Sequence, residues 1–516
     1  MFRKLRTCAA RRLSLRDIVL VGFVGSVVLA TTASQVSAAT IWDGGGGTNW
    51  WYDPVNWNAN SNDNVTLPNM GLQVNNATEL DGTAAGAISV VFDPTNDPNF
   101  ATHNFDPYVL YDMYLGNTAA PNSSTLTINS GTLQVSNVPA LAGHGNLFIS
   151  RSVVNQTNTV IQNGGTLQIT DATQGRMSLA NAAGATGIYE YHGGVFEAGL
   201  GTGEAAGSIG VRVGGDNTTS GLGNGIFKVY NDGPVGHIHV ANFLVSPGAA
   251  GTTGTVEFHY GNGGVRPIQV DYNLSLRNTA TQNAYLDLVL NSAPTLHSGS
   301  VPQDLSLFVL DPTNGVYSGV AGQTLPKAFQ VKPGGSLTLT TDTNADGFLE
   351  TGDVVSSVFG GNTYNWTVST TGLTTLNTST SAISSIAATG GKDFVLMGLS
   401  STVAALLKGD MNFDGHVNAA DISAMELALA NESGYLSTNF PNGTPSSHGV
   451  TTANIGQYSD VTGGNAYNNG NLQALLTLLK TGGGSATSVP EPSSFVLAGL
   501  GLAAIGLVRR RRRQAA

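Results

Sequence analysis

The sequence predicts a mainly β protein with a parallel β-helix-like, or β-solenoid, body, a small helical module and a C-terminal hydrophobic helix. Three observations predict this fold class: the composition, a degenerate repeat, and a helical pattern confined to the last fifth of the chain. Glycine accounts for 67 of 516 residues and charged residues for 11%, against about 25% charged residues in ordinary globular domains. This composition is typical of an extracellular β-rich protein.

A degenerate unit recurs between about residues 120 and 275. Each unit has two short alternating strands on either side of a Gly/Asn turn. The turn glycines are spaced by 34, 29, 39 and 31 residues and are Gly131, Gly165, Gly194, Gly233 and Gly264. A period of 20–50 residues predicts stacked units that share one core. A β-solenoid is therefore the first interpretation, and a β-sandwich the alternative, because glycine-rich turns occur in both folds.

The body is expected to span residues 40–275 and to begin with a tryptophan-rich cap. Four of the five tryptophans lie within 16 residues, at Trp42, Trp50, Trp51 and Trp57. An exposed solenoid end must be protected from edge pairing, so these rings are interpreted as a cap. A glycan-stacking platform is the alternative. Residues 276–400 contain strands with longer loops and are expected to form a β-rich closing region, which resembles that of autotransporter-like surface proteins.

The first 39 residues have the pattern of a signal peptide. Six basic residues precede the apolar run Ile18–Ala33, and small residues at Val36-Ser37-Ala38 predict cleavage after Ala38 or Ala39. The single cysteine, Cys8, lies in the segment removed. The mature chain is therefore expected to lack disulfides, cysteine nucleophiles and cysteine-based zinc sites.

The charge balance excludes one class of partner. Six of the 22 basic residues lie in the signal peptide and five in the C-terminal tail, which leaves 11 basic and 32 acidic residues in 40–508, a net charge near −21. Such a body is not expected to bind nucleic acid through phosphate contacts. It is suited to binding divalent cations.

The strongest chemical motif is an acidic loop that begins at Asp410. Calcium takes six to eight oxygen ligands, and this loop places side chains at positions 1, 3, 5, 9 and 12, a backbone carbonyl at 7, and Gly415 at the sharp turn. The candidate Ca²⁺ ligands are Asp410, Asn412, Asp414, His416 (through its carbonyl), Asn418 and Asp421. An amphipathic helix is predicted to follow, from Ile422 to Ala430.

A degenerate second loop begins at Asp460, and a helix is predicted behind it from Leu472 to Leu479. Its candidate ligands are Asp460, Thr462, Asn468 and Asn471. Gly464 and Asn471 replace the acids at positions 5 and 12, so this half is expected to bind calcium weakly or to serve for packing. Together the two halves resemble a type I dockerin module over residues 405–480.

That resemblance implies a cohesin-like protein partner. In dockerins, loop positions 10 and 11 guide recognition, and here they are Ala419 and Ala420, then Asn469 and Gly470. The sequence leaves open whether such a partner exists.

A third calcium-loop pattern lies in the closing region, with Gly347 at position 6. Its candidate ligands are Asp342, Asn344, Asp346, Phe348 (through its carbonyl) and Asp353. A polar β-turn built on Asn-Ala-Asp-Gly is the alternative interpretation.

The C-terminal tail, residues 489–516, follows a Gly/Ser linker at 481–488. It contains Pro490, Glu491 and Pro492, an apolar run that ends at Val508, and five arginines, Arg509 to Arg513. This order resembles the PEP-CTERM sorting signal of exported bacterial proteins. The resemblance implies processing by an exosortase-type enzyme, and contact with the membrane through the apolar segment.

The sequence thus predicts an exported, non-catalytic protein of the cell surface or extracellular matrix, with a calcium-dependent interaction module and contact with an extracellular polysaccharide. The alternative is a β-helix polysaccharide lyase or glycoside hydrolase that carries a dockerin. Such enzymes place paired acids, lysines or arginines on one face of the solenoid. The repeat region has few bases and few paired acids.

Overall fold

A computed structural model describes most of the β body and part of the helical module. The described residues are 40–42, 47–58, 77–80, 87–103, 106–110, 112–116, 123–136, 145–151, 155–170, 175–200, 210–215, 223–248, 250–279, 281–298, 301–319, 328–376, 383–402, 409–412, 417–431, 434–435, 461 and 468–481. The predicted signal peptide, the Gly/Ser linker beyond Thr481 and the sorting tail lie outside them.

The chain is mainly β, with helices concentrated near the C-terminus. The strands are, in chain order, β1 (Thr40–Trp42), β2 (Trp57–Asn58), β3 (Ala77–Leu80), β4 (Ile88–Phe92), β5 (Tyr108–Leu110), β6 (Asp112–Leu115), β7 (Ser124–Ile128), β8 (Thr132–Val135), β9 (Leu147–Ile149), β10 (Thr157–Gln162), β11 (Thr166–Ile169), β12 (Arg176–Leu179), β13 (Thr186–Tyr191), β14 (Val195–Ala198), β15 (Gly210–Val213), β16 (Asn224–Tyr230), β17 (His237–Val245), β18 (Thr253–Tyr260), β19 (Ile268–Leu276), β20 (Asn283–Leu290), β21 (Leu296–Ser298), β22 (Val301–Pro302), β23 (Leu305–Leu310), β24 (Val316–Gly319), β25 (Gln330–Val331), β26 (Thr338–Thr341), β27 (Val354–Phe359), β28 (Asn362–Leu376), β29 (Ile383–Ala387) and β30 (Asp393–Thr402). The helices are α1 (Phe100–His103), α2 (Ala419–Ala430) and α3 (Asn469–Lys480), and a single 3₁₀ turn covers Pro54–Asn56.

The repeat units stack as parallel strands in register. Thr125 of β7 pairs with Thr159 of β10, and Thr157 of β10 pairs with Thr186 of β13. The second strands of the units stack likewise, β8 on β11 and β11 on β14. The two strands of a unit thus pair with the neighbouring units and not with each other. The turn between them is a corner, as in a solenoid, and not a hairpin.

Three parallel ladders run along the body. The first contains β4, β7, β10, β13, β16, β18, β20 and β25. The second runs from β5 through β8, β11 and β14 to the first halves of β17 and β19, and the third from β3 through β6, β9, β12 and β15 to their second halves. A bend after Val240 takes β17 from one ladder to the next. This arrangement is compatible with the predicted β-helix-like body.

Alternating side chains fill one core inside the three ladders. In β10 and β13 every second residue is buried, which is the period expected of strands with one face inward. At the corners the backbones of successive units approach closely. Gly165 has φ +64°, and a Cβ there would lie 2.7 Å from the Gly131 carbonyl oxygen. The spacing of the turn glycines therefore follows from the stacking of the corners.

The tryptophan cluster is part of this core. Trp42, Trp51 and Trp57 are at most 2% exposed, and the ring of Trp57 packs edge-on against the other two at 4.9 Å. β1 pairs with β3 at the N-terminal end of one ladder, and Trp50 bridges to Val91 at the end of another. Buried rings offer no face to a sugar, so their packing favours the cap over the glycan platform.

The closing region is antiparallel. Parallel pairing continues beyond residue 275, to β23, β24 and β25. β30 then pairs antiparallel with both β23 and β28, and β28 pairs with β27 and β29. The long alternating strand β28 was not recognised in the sequence. This sheet covers the end of the second ladder, and the acidic loop 342–353 connects its strands β26 and β27.

Candidate calcium-binding loops

The helical module is built from α2 and α3, which pack around a small apolar core. Its buried residues are Met411, Val417, Ala424, Met425, Ala428, Tyr435 and Leu475. The Tyr435 hydroxyl donates a hydrogen bond to the Met411 carbonyl at 2.6 Å. The first acidic loop is therefore tied to the core that the two helices share.

Both helices begin three residues before the predicted start, because asparagines cap them. Asn418 Oδ1 accepts a hydrogen bond from the Ala420 N–H at 2.8 Å, and Asn468 Oδ1 accepts one from the Gly470 N–H at 2.7 Å. Asparagine is among the preferred N-caps. These two residues occupy position 9 of their loops, so each loop leads directly into its helix.

In the first loop, the carboxylate of Asp421 organises the backbone. Asp421 is fully buried. Its Oδ1 accepts from the N–H groups of Met411 at 2.7 Å and Asn412 at 3.1 Å, and its Oδ2 accepts from the Asn418 N–H at 2.7 Å. Asp410 is 3% exposed. The structure thus brings both ends of the loop together, while Asp414 and His416 lie outside the described residues.

The second loop is described only in its last part. Asp460 and Thr462 lie outside the described residues. Asn468 caps α3, and Asn471 is fully buried at position 12. Asn471 thus takes the place that Asp421 has in the first half, without its charge.

The loop 342–353 is described throughout. Asp342 accepts hydrogen bonds from the N–H groups of Ala345 and Gly347, both at 2.7 Å. Gly347 has φ +81°, a left-handed conformation that favours glycine. Leu349, at position 8, bridges to Phe329. The segment is therefore a compact loop anchored to the β body.

Position 12 shares two backbone contacts between the two loops. Asp353 Oδ1 accepts from the Thr343 N–H at 2.9 Å, and its Oδ2 accepts from the Glu350 N–H at 2.7 Å. These donors are at positions 2 and 9, as are the Met411 and Asn418 donors to Asp421. Two segments in different surroundings therefore share one hydrogen-bond register.

Glu350 is a candidate ligand that the sequence interpretation missed. It lies at position 9, a ligand position of the template, so the spacing alone could have identified it. Asn344 Nδ2 donates to Glu350 Oε2 at 3.0 Å and to Asp346 Oδ2 at 3.2 Å. Partial burial, followed by the charges of Asp346 and Asp353, raises the pKa of Glu350. The amide of Asn344 thus bridges two carboxylates that repel each other.

The described residues of the two loops do not form a closed metal cage. In the described part of the chain, no group of three or more His, Cys, Asp or Glu side chains is arranged to hold a metal ion. In the loop 342–353 backbone N–H groups and the Asn344 amide occupy carboxylate oxygens. The atoms of this loop that could coordinate a metal are nevertheless all oxygens, the ligands that Ca²⁺ prefers. Calcium therefore fits the donor set, and binding would require the Asn344 amide to turn its oxygen inward.

Acids on the outer surface of the first ladder are paired with lysines. Lys228 Nζ lies 2.8 Å from Glu190, and Lys332 contacts Glu257. Burial alone would raise the pKa of Glu257, but the nearby His259, whose Nε2 lies 3.7 Å from Glu257 Oε2, and the hydrogen bond and charge of Lys332 outweigh it and lower the pKa to about 2. Glu257 is therefore ionised at neutral pH and is not set up as a proton donor.

His237 and His239 lie on one side of strand β17. The ring centroids of His237 and His239 are 6.4 Å apart. His237 Nε2 faces Glu197 Oε1 at 3.3 Å, and His239 Nε2 faces Asp271 Oδ1 at 2.7 Å. Each ring thus has its own carboxylate on a neighbouring strand.

Comparison with known proteins identifies the tail. Residues 488–513 match the family model of the PEP-CTERM protein-sorting motif. The match includes Pro490, Glu491 and Pro492. It indicates an exported protein that an exosortase sorts and that is anchored at the cell envelope. No curated protein and no solved structure matches the chain. Among the residues described above, no helix has the length and apolar character needed to cross a membrane.

Proposed function

We propose that this is an exported, non-catalytic protein of the cell surface or extracellular matrix that binds calcium and a protein partner. Export and sorting rest on the match of residues 488–513 to the sorting motif. The calcium function rests on one observation, the shared hydrogen-bond register of Asp353 and Asp421. That register joins position 12 to positions 2 and 9 in two oxygen-rich segments, which supports a common calcium-loop function.

Calcium would be held in the first loop by Asp410, Asn412 and Asp421, with the remaining ligands of the motif. When bound, the cation supplies positive charge that offsets the repulsion between these carboxylates. Because the loop leads directly into α2, binding energy then becomes folding energy of the module. The second loop contributes packing through Asn471 and binds calcium more weakly.

The partner would be a cohesin-like protein that contacts the first turns of the helices. Ala419 and Ala420 of α2 are exposed, as are Asn469 and Gly470 of α3. Leu476, on the same helix α3, is 40% exposed. Small and apolar exposed side chains on two adjoining helices are compatible with a docking face, and this supports the proposal of a dockerin-like module.

Two measurements on native surface protein test the proposal. Mass spectrometry of released protein should show a chain that ends near Pro492, without the arginines 509–513. An intact arginine end on released protein would contradict sorting.

Affinity capture with the full chain should recover a partner in calcium but not in chelator, and Ala420→Arg should abolish capture. Equal capture with and without calcium would contradict a calcium-dependent module.

The glycoside-hydrolase alternative requires a carboxyl group that donates a proton. The lowered pKa of Glu257 and the ion pair between Glu190 and Lys228 favour a structural role for the acids of the first ladder. The full chain should therefore release no products from common polysaccharides. Depolymerisation that disappears in Glu257→Gln or Glu190→Gln would establish the enzyme instead.

A further inference from the structure

A groove of about 500 Å³ lies at a corner of the body, beside the last parallel units. The turn after β16 and the turn after β18 form one wall. Strands β17, β19 and β23, Gln303 and Ile383 of β29 also line the groove. Its polar lining is dominated by amides, among them Asn231, Gln269 and Gln303. This groove is separate in sequence from both acidic loops.

One guanidinium is fixed in this lining. Arg266 Nε donates to Asn231 Oδ1 at 3.1 Å, and Arg266 Nη2 donates to the Gly233 carbonyl at 2.9 Å. The guanidinium carbon also lies 5.6 Å from the centre of the Tyr191 ring. These contacts fix the group in place but leave its charge uncompensated. Within the described ranges, Arg266 forms no ion pair with a carboxylate.

The groove differs from the rest of the body in charge. Residues 40–508 carry a net charge near −21, from 11 basic and 32 acidic residues. The groove lining contains Arg266 and His237 but no Asp or Glu. A fixed, always charged guanidinium is suited to a ligand carboxylate. An anionic ligand is therefore attracted here, whereas most of the surface repels it.

Neutral groups in the groove define the rest of the ligand. The Asn231 amide accepts from Arg266 and donates to the Gly261 carbonyl, and the Gln303 amide donates to the Gly263 carbonyl. Each keeps a second donor or acceptor, and with the amide of Gln269 they offer hydrogen-bonding groups that hydroxyl groups can match. Apolar side chains border them, and Val235 is 85% exposed at the rim. A pyranose ring presents hydroxyl groups at its edge and C–H groups on its faces. We propose that the groove binds an acidic oligosaccharide, with a uronate carboxylate directed towards Arg266.

The proposal goes beyond calcium binding and is tested in its absence. The full chain is titrated with oligogalacturonate in chelator, so that calcium cannot bridge the sugar to an acidic loop. Reduced oligosaccharide, with neutral galactose in place of the uronate, serves as the matched ligand. Loss of one charge-assisted contact is worth about tenfold in affinity. We expect at least that preference for the acidic ligand, and weaker binding at high salt.

Variants locate the site. Arg266→Gln should lower the affinity for oligogalacturonate about tenfold, and Arg266→Lys should retain part of it. Arg277→Gln is the matched control, because Arg277 also donates to two carbonyl groups, those of Pro247 and Gly248, outside the groove. Equal losses in Arg266→Gln and Arg277→Gln would overturn the assignment, because both would then reflect general destabilisation.

A second pair of variants avoids any effect on folding. Val235→Glu places a negative charge at the exposed rim and should reduce binding of the acidic ligand only. Val316→Glu, on β24, is its control, because Val316 is also exposed, at 46%. Equal affinity for the acidic and the neutral ligand, or unchanged binding in Val235→Glu, would overturn the proposal. Competition by oligoglutamate at equal affinity would assign the groove to an acidic peptide and overturn the saccharide.

Discussion

The loops 342–353 and 410–421 have the same ligand spacing and share two hydrogen bonds to position 12, but they stand in different surroundings. The first is held at both ends by strands β26 and β27 of an antiparallel sheet. The second precedes α2, whose core contains seven buried apolar residues in the described part of the module. We therefore expect the sheet to preorganise the loop 342–353, whereas the loop 410–421 should control the folding of α2.

The difference lies in what stabilises each loop without calcium. In the loop 342–353, the sheet and the bridge between Leu349 and Phe329 fix the backbone. In the loop 410–421, the position-12 carboxylate is itself part of the capping box of α2. Neutralising charge in the loop 410–421 should therefore affect a helix, whereas in the loop 342–353 it should affect only the loop.

The largest expected effect follows from Asp421→Ala. This change leaves three N–H groups without their acceptor beside a small core, at a cost of about 3 kcal/mol. Hydrogen exchange of α2 amides should accelerate by about two orders of magnitude, while β27 amides stay protected. Protection of α2 equal to that of the wild type would contradict the role given to Asp421.

Asp353→Ala should have a smaller and more local effect. It removes the acceptor for the N–H groups of Thr343 and Glu350, so exchange within the loop 342–353 should increase by about tenfold. The flanking strands β26 and β27 should change little, because their ladder is unaltered. If β27 lost protection as strongly as α2 does in Asp421→Ala, the contrast between the two loops would be wrong.

A fall in pH should affect the stability of the β body through Glu257, which the helical module lacks. The pKa of Glu257 is about 2, below its ordinary value of 4.5. Its ionised form therefore stabilises the body above the ordinary pKa, and this stability is lost as the pH falls from about 4.5 through 2. Lys332→Met removes the hydrogen bond and the positive charge by which Lys332 lowers this pKa.

Acid unfolding in chelator, followed by near-ultraviolet circular dichroism, measures this effect. Its midpoint should move to higher pH in Lys332→Met. Lys392→Met is the control, because Lys392 donates to the Gly315 carbonyl rather than to a carboxylate. Equal shifts in both variants would remove Glu257 from the explanation.

The smallest expected effect concerns Glu350. Because its pKa is raised by burial and by the charges of Asp346 and Asp353, its ionised form destabilises the calcium-free loop. Glu350→Gln should therefore stabilise that loop by a few tenths of a kcal/mol and weaken its calcium binding. Exchange of loop amides with and without calcium gives both quantities. Tighter calcium binding in Glu350→Gln would exclude Glu350 as a ligand.

Much of the β body could be predicted from the sequence, because inward-facing residues alternate and the turn glycines recur with the stacked corners. Gly165 shows why, since a Cβ at this position would collide with the neighbouring corner. The three-ladder arrangement could not be predicted, because the bend after Val240 has no local signal. The ion pair between Glu190 and Lys228 depends on the register between two strands that are distant in sequence, and no sequence spacing reveals it.

The acidic loops show the same division. Ligand spacing predicted Asp342, Asp353 and Asp421 as calcium ligands, because a calcium loop is a local motif, and this stays a prediction. Glu350 was missed although it occupies a template position. The groove around Arg266 could not be predicted, because its walls come from turns and strands that are distant in sequence and that only folding brings together.

The most direct test of the comparison is a calorimetric titration of the full chain with Ca²⁺, in a background of Mg²⁺. It is made on wild type, Asp342→Ala, Asp410→Ala and the double variant, with Asp460→Ala as the control at the weaker loop. Each of the first two single changes should remove one set of binding heats, and only Asp410→Ala should abolish calcium-dependent protection of α2. Two results would contradict this expectation. One is undiminished binding heat in the double variant, and the other is amide protection of α2 that is equal with and without calcium in the wild type.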